Sequence, residues 1–216
     1  MNSKTMSFES RRPHPFCRKP QQQLGPFSAQ ASWYSLPNSF TWHFSTDMTP
    51  AQFLDQVGPA AQAVCKQTGI PSSITLAQGI LESGWGRSQL ATVGKNLFGI
   101  KADTSWTGKV MTLPTREFFR GKFITVEAKW RVYDTWEDSI RDHAKFFFDN
   151  PRYAPALINS TDPEKFAQEI QECGYATDPQ YAEKLMGIVH SRNLTQFDVP
   201  RNQWTLLDWA RYPTNA

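Results

Sequence analysis

The chain has 216 residues, of which 39% are hydrophobic and 20% charged, and its formal net charge is +3. This length and composition fit one well-cored domain with appendages and exclude an intrinsically disordered protein. No apolar run approaches the roughly 18 residues that span a membrane, and no basic stripe with interleaved aromatic residues indicates nucleic-acid binding.

The first segment, residues 1–46, is predicted to be an irregular and partly disordered extension. Its first part is polar and contains Arg11-Arg12, several prolines and the run Gln21-Gln22-Gln23. It lacks the apolar core of a secretory signal, so we expect synthesis in the cytoplasm without a signal peptide.

The central segment, residues 47–194, is predicted to be the folded domain. Thr49-Pro50-Ala51-Gln52 has the pattern of a capping box with proline in the first turn, which predicts the start of a helix. Gly69 and Pro71 end that helix. A second helix is predicted from about Ser73 to Ser83, because its apolar residues recur at helical spacing; they are Ile74, Ala77, Ile80 and Leu81.

The pattern then changes from helix to strand. Four apolar residues alternate with polar ones, which predicts a strand; they are Val126, Ala128, Trp130 and Val132. Arg120-Gly121 is a plausible hairpin turn that joins this strand to the segment 111–119.

Three more helices complete the predicted domain. Thr135 is expected to cap the first of them, Pro163 to start the second, which ends at Gly174, and Asp178-Pro179 to start the third, which runs through His190. The predicted fold class is therefore α+β and mainly helical, with a small β-hairpin lobe. The remaining segment, residues 195–216, is a tail that we expect to pack back on the core; its apolar residues are Trp204, Leu206, Leu207 and Trp209.

Cysteine and histidine positions predict neither a metal site nor a cofactor. The three cysteines are widely separated and fit no metal-ligand spacing; they are Cys17, Cys65 and Cys173. We expect free, mostly buried thiols, with one disulfide as the alternative if two of the cysteines meet in space. No histidine pairs with another at ligand spacing.

Glu82 is the outstanding candidate for catalysis. It lies in the last turn of the second predicted helix, just before Gly84, which supplies the left-handed residue that ends helices. Partial burial beside the negative end of the helix dipole should raise the pKa of the Glu82 carboxyl. A carboxylic acid that stays protonated near neutral pH can donate a proton to a leaving oxygen.

The sequence around Glu82 resembles that of a known enzyme family. Five further blocks follow Glu82-Ser83-Gly84-Trp85-Gly86 in order; they are Asn96-Leu97-Phe98-Gly99-Ile100-Lys101, Trp106-Thr107-Gly108, Lys129-Trp130-Arg131-Val132-Tyr133, Asn150-Pro151-Arg152-Tyr153 and Gly174 to Ala182. Together they are similar to glycoside hydrolase family 73, the β-N-acetylglucosaminidases of bacterial peptidoglycan, which include the hydrolase domain of the flagellar rod-cap protein. The resemblance covers roughly Pro50 to Leu194 and implies a lysozyme-like domain.

The resemblance also implies further site residues. Glycosidic hydrolysis usually needs two carboxylates, and the matched register assigns the second to Glu117, with Glu127 of the same hairpin as the alternative. Tyr175 corresponds to a tyrosine that family members place at the cleft, so it is assigned a catalytic role, whereas Asp178 is interpreted as a helix cap.

Four other residues are predicted to bind substrate. Asn96 can hydrogen-bond a sugar, and Phe98 either stacks on a sugar or fills the core. Trp85 either packs on the acid helix or contacts a sugar, and Tyr181 lines the cleft or the core.

These residues predict a peptidoglycan hydrolase that cleaves the β-1,4 bond after N-acetylglucosamine. Glycan strands are the expected partner, with no nucleic acid and no membrane. We expect action in the periplasm or cell wall of a target cell, as a type VI-like antibacterial effector with a cognate immunity protein that occludes the cleft. The alternatives are a phage endolysin, a lytic transglycosylase and a non-catalytic peptidoglycan-binding module.

Overall fold

The computed structural model describes residues 48–119 and 122–205, without the side chains of residues 116–119, 122 and 123. The predictions for residues 1–46, for the turn at Arg120-Gly121 and for the end of the tail lie outside this part of the chain. Within it, no helix is both long enough and apolar enough to cross a membrane.

Two helices form the centre of the domain. Helix α1 spans Pro50–Thr68 and begins with the predicted capping box, in which Thr49 and Gln52 each bind the backbone N–H of the other at 3.2 and 2.8 Å. Helix α2 spans Ser72–Ser83 and is buried on all sides from its first residue to Ile80. A helix that is enclosed in this way belongs to the core and is held rigidly by its neighbours.

A short helix and a hairpin follow. Helix α3 spans Gln89–Thr92, and strands β1, Val110–Phe119, and β2, Lys122–Arg131, pair antiparallel, as predicted. The base of the hairpin is tied to the domain by backbone hydrogen bonds, from Ala102 to Lys129 at 2.9 Å and from Arg131 to Ile100 at 3.0 Å. An isolated two-stranded sheet is only marginally stable, so these bonds fix its position.

Four further helices enclose the core; they are α4, Trp136–Asp149, α5, Ala154–Ile158, α6, Pro163–Glu172, and α7, Tyr181–Ser191. Short 3₁₀ turns cover Pro151–Tyr153, Leu194–Phe197 and Arg201–Gln203. Thr135 caps α4 and Pro163 starts α6, as predicted. The domain is α+β and mainly helical with one hairpin lobe, which confirms the predicted fold class.

The predicted start of the last helix is wrong by two residues. Helix α7 begins at Tyr181, because the Asp178 carboxylate accepts a hydrogen bond from the Gln180 backbone at 3.0 Å and pairs with Lys184. These bonds make a turn ahead of the helix, so Asp178 has a structural role but does not cap α7.

A buried ion pair joins the hairpin to α4. The Arg131 guanidinium donates to both carboxylate oxygens of Asp142, at 2.8 and 3.0 Å, and the Tyr133 hydroxyl donates to the same carboxylate at 2.6 Å. A second ion pair, 3.1 Å long, links Arg131 to Asp103. Paired in this way, the buried charges are satisfied and the base of the hairpin is locked to the helix.

The first part of the tail, residues 195–205, packs against α1 and α2. The Phe197 ring fills the space beside Gly58, where a Cβ would lie 2.7 Å from a ring carbon. The Asp198 carboxylate accepts a hydrogen bond of 2.8 Å from the Ser73 backbone N–H in the first turn of α2. Pro71, at the N-cap of α2, provides no side-chain hydrogen bond, so Asp198 supplies that cap from a distant part of the chain.

The cysteines differ in state. Cys65 is a buried free thiol, which confirms the expectation at this position. The same expectation is wrong for Cys173, which is disulfide-bonded. Cys17 lies outside the described residues.

Candidate active site

Glu82 occupies the predicted place at the end of the central helix. Helix α2 ends at Ser83, and Gly84 adopts the left-handed conformation with a φ of 59°. The Glu82 carboxyl is partly buried, and burial raises its pKa from the usual 4.5 to about 7, although a hydrogen bond from Tyr181 opposes the rise. At neutral pH a large fraction of this carboxyl is therefore protonated and able to act as an acid.

Two tyrosines lie beneath Glu82 and are part of the core. Tyr181 and Tyr175 are 3% and 2% exposed. The Tyr181 hydroxyl lowers the pKa of the Glu82 carboxyl beside it, and the Tyr175 hydroxyl lies 2.9 Å from Nε2 of His143. Direct contact with a sugar, expected for Tyr175 and given for Tyr181 as the alternative to the core, does not fit this burial. The tyrosines instead form the floor on which the carboxyl of Glu82 rests.

Two residues of this floor were missed by the sequence analysis. Gln78 lies one turn before Glu82 on α2, and its amide donates to the Tyr181 hydroxyl at 3.0 Å. His143 lies on the buried face of α4 and stacks on Phe98, with 3.9 Å between ring centroids. The sequence feature that could have identified them is a polar residue within the apolar stripe of each helix, because such residues are buried only with a hydrogen-bonding partner.

Asn96 is structural, so its predicted role in sugar binding is corrected, and Phe98 takes the core position that was the alternative to stacking on a sugar. Asn96 is 1% exposed, and its amide binds the backbone of Ile100 and Arg131 through three hydrogen bonds of 2.9–3.0 Å. Phe98, also 1% exposed, fills the core against His143. Asn96 thus fixes the loop that carries the base of the hairpin, and neither side chain is free to contact a ligand.

Trp85 remains at the rim of the site. The residue is partly exposed and has a left-handed φ of 66°. Its ring packs edge-on against Phe53, with 5.8 Å between centroids, and the Arg192 guanidinium lies 5.2 Å from its centre. The indole is therefore held beside Glu82 with part of its surface open, which keeps it a candidate for contact with a sugar.

The two candidate second carboxylates occupy opposite faces of the hairpin. In the strand register, Glu117 lies opposite Ile124, and Glu127 lies opposite Pro114. Position 117 therefore belongs to the face that leads down to Trp130, which is 6% exposed at the base. Glu127 is exposed on the other face. The backbone register thus places position 117 on the inner face of the lobe.

Comparison with known proteins gives a consistent result. Residues 58–194 match the model of a family described as mannosyl-glycoprotein endo-β-N-acetylglucosaminidase. The chain is 39% identical over 143 residues to the peptidoglycan hydrolase FlgJ of Vibrio parahaemolyticus, covering 65% of this chain and 46% of that protein. It is 38% identical over 151 residues to the exo-glucosaminidase LytG of Bacillus subtilis, covering 68% and 52%. The chain thus spans about half the length of these relatives.

The fold is also similar to that of a solved structure. The catalytic domain of the autolysin Auto from Listeria monocytogenes superposes with a TM-score of 0.63 at 33% sequence identity. The similarity covers 70% of this chain and 90% of the autolysin domain. The family match over residues 58–194 contains the positions of the candidate residues.

Proposed function

The chain belongs to the glucosaminidase family, glycoside hydrolase family 73, and from this premise we propose that it hydrolyses the β-1,4 bond after N-acetylglucosamine in peptidoglycan. Membership of this family supports the proposal, and so do the activities of the relatives that share the domain. The family is that of the endo-β-N-acetylglucosaminidases, and Glu82 is the proposed acid for this reaction.

The observation that carries the proposal is the environment of Glu82. Its pKa of about 7 allows the protonated carboxyl to donate to the glycosidic oxygen as the bond breaks. The carboxyl lies on the central helix, with the Tyr181 hydroxyl beside it. Rigid placement matters, because a general acid works only within hydrogen-bonding distance of the atom that it protonates.

Glu117 is the proposed second carboxylate. An ionised carboxylate there would activate water or stabilise the positive charge that develops on the sugar ring. The support is its place on the inner face of the hairpin lobe, opposite Ile124. Trp85, at the rim, is proposed to stack on a sugar ring.

The test uses purified sacculi and the variant Glu82→Gln. Glutamine has the same shape and still accepts the bond from Tyr181, but it cannot donate a proton to a leaving oxygen, so turbidity clearance should be abolished in a folded protein. Reduction and mass analysis of wild-type products should show N-acetylglucosamine at the new reducing ends. Anhydro-muramic ends would identify a lytic transglycosylase instead, and full activity of the variant would refute the role of Glu82.

We also propose the site of action, which is the periplasm or cell wall of a target bacterium, reached as a type VI-like secreted effector. The support is that peptidoglycan lies outside the cytoplasmic membrane, so a producing cell needs delivery of the enzyme and protection from it. An immunity protein that covers Glu82 would protect without unfolding the enzyme. Expression directed to the periplasm should lyse cells, and co-expression of a neighbouring gene should rescue them. A gene that lies among phage lysis genes would identify an endolysin and refute delivery.

A further inference from the structure

Three consecutive residues after the acid helix have a left-handed backbone conformation. The φ angles of Gly84, Trp85 and Gly86 are 59°, 66° and 70°. Glycine adopts this conformation without strain, whereas a tryptophan in it is an outlier. Strain of this kind persists only where the surroundings enforce it, and it is concentrated at functional sites. The partly exposed indole of Trp85 is therefore held at the rim against its own backbone preference.

The contacts of the following residue enforce the conformation of Trp85. The Ser83 hydroxyl accepts a hydrogen bond of 2.7 Å from the Gly86 backbone N–H. A Cβ at position 86 would lie 3.0 Å from the Trp136 ring and 3.1 Å from the Phe53 ring. The loop is thus tied to the end of α2 on one side and pressed against the core on the other, so the indole has a fixed position.

The guanidinium of Arg192 lies over the Trp85 ring, 5.2 Å from its centre. Arg192 is exposed at the end of α7. Its side chain forms neither an ion pair nor a hydrogen bond with any residue in the described part of the chain. A guanidinium that stacks on an aromatic ring keeps its N–H groups in one plane, where they can bind a carboxylate through two parallel hydrogen bonds. Stacking on Trp85 therefore presents a preoriented set of donors to solvent.

The base of the hairpin contains a complete example of this arrangement. There the Arg131 guanidinium lies 4.7 Å from the centre of the Trp106 ring and donates to both carboxylate oxygens of Asp142, at 2.8 and 3.0 Å. An aromatic ring, a guanidinium and a carboxylate thus occur together. Trp85 and Arg192 repeat the first two parts at the rim, and no described residue supplies the carboxylate. A ligand with a carboxylate would complete the set.

We propose that Trp85 and Arg192 form a subsite for a carboxylate carried by the muramic acid unit of the glycan, with the exposed part of the indole against the sugar and the guanidinium on the carboxylate. This subsite deepens the proposed function and rests on it, because the ligand is the proposed substrate. In peptidoglycan the lactyl group of muramic acid ends in a free carboxylate or in a peptide stem that has carboxylates of its own. Chitin has neither, so the subsite would select peptidoglycan over neutral polymers of N-acetylglucosamine.

The experiment measures binding in the Glu82→Gln background, which removes the proposed acid. Isothermal titration calorimetry compares three tetrasaccharides: an oligomer of N-acetylglucosamine, a peptide-free glycan with free lactyl carboxylates, and the same glycan with peptide stems. Arg192→Gln should weaken the binding of a carboxylate-bearing ligand about fivefold and leave the affinity for the neutral oligomer unchanged. Arg192→Lys, which keeps the charge but loses the planar fork, should recover only part of this affinity.

The two charged ligands distinguish the sources of the carboxylate. Weaker binding of the peptide-free glycan assigns the lactyl carboxylate, whereas a loss confined to the glycan with stems assigns a stem carboxylate. Arg201→Gln is the matched control, because Arg201 also lies over a tryptophan, 6.0 Å from the centre of the Trp204 ring. Trp204 packs on Gly69, at the opposite end of α1 from Phe53, so this variant should change no affinity.

Two results would overturn the subsite. One is equal affinity of Arg192→Gln and its Glu82→Gln parent for both charged ligands. The other is an equal loss for the neutral oligomer, which would indicate a general effect on packing. Either result leaves the proposed function standing, since that function is decided by clearance of sacculi. A parent protein that binds none of the three ligands would refute glycan binding itself, so the two failures are distinguishable.

Discussion

Glutamine in place of Glu82 should stabilise the protein above neutral pH. In the folded protein the pKa of Glu82 is about 7, whereas the unfolded chain has the usual 4.5. The folded state therefore binds this proton more tightly than the unfolded chain does. The extra free energy of unfolding that results is fully present below about pH 4.5 and is lost as the pH rises to about 7. At about 1.4 kcal/mol per pKa unit, the wild-type protein loses at most about 3 kcal/mol, and residual solvent contact of the carboxyl lowers this value.

The neutral variant avoids this loss. Glu82→Gln should match wild type near about pH 4 and exceed it by up to about 3 kcal/mol near about pH 8, measured by urea unfolding at each pH. Glu127→Gln, which removes an exposed carboxylate on the hairpin, is the matched control for the loss of one negative charge. A stability difference between Glu82→Gln and wild type that stays constant across this range would refute the linkage between burial and proton affinity.

Three further outcomes follow from the geometry. Glu117→Gln should strongly reduce clearance of sacculi while Glu127→Gln leaves it intact, and the opposite result would show that the hairpin register assigns the wrong carboxylate. Asp198→Ala should cost about 1 kcal/mol in thermal unfolding because Ser73 loses its cap; Asp198→Asn, which keeps an acceptor oxygen, should not. Asp142→Ala should cost about 3 kcal/mol by chemical unfolding, since Arg131 loses its buried partner and keeps only its ion pair with the more exposed Asp103, and a cost below about 1 kcal/mol would contradict a locked hairpin base.

Local signals in the sequence were sufficient to predict most of the helices and the hairpin. The capping boxes at Thr49 and Thr135 and the left-handed Gly84 act within one helical turn, so they specify helix ends without tertiary information. The placement of Glu82 at a helix end followed from the same logic. The alternation of apolar and polar residues likewise predicted the hairpin, because successive side chains of any strand point to opposite faces of the sheet.

What the sequence did not predict depends on contacts between distant segments. The composition of Asn96-Leu97-Phe98-Gly99 is equally typical of a cleft wall and of a buried loop. Only the approach of Arg131, a residue on a separate strand, reveals that the Asn96 amide is fully used. The depth of the tyrosines beneath Glu82 was not predictable, since Tyr175 is buried with a partner, His143, that comes from α4.

The remote cap on α2 has a consequence for the order of folding. Ser73 and Asp198 are 125 positions apart in the chain, and synthesis proceeds from the N-terminus, so α2 emerges long before the residue that completes its first turn. Contacts with such a separation pay a large loop-closure cost and tend to form late. The helix that carries the acid is therefore finished only after the rest of the domain has been made. Until then a nascent chain would have the sequence of the site without its fixed geometry.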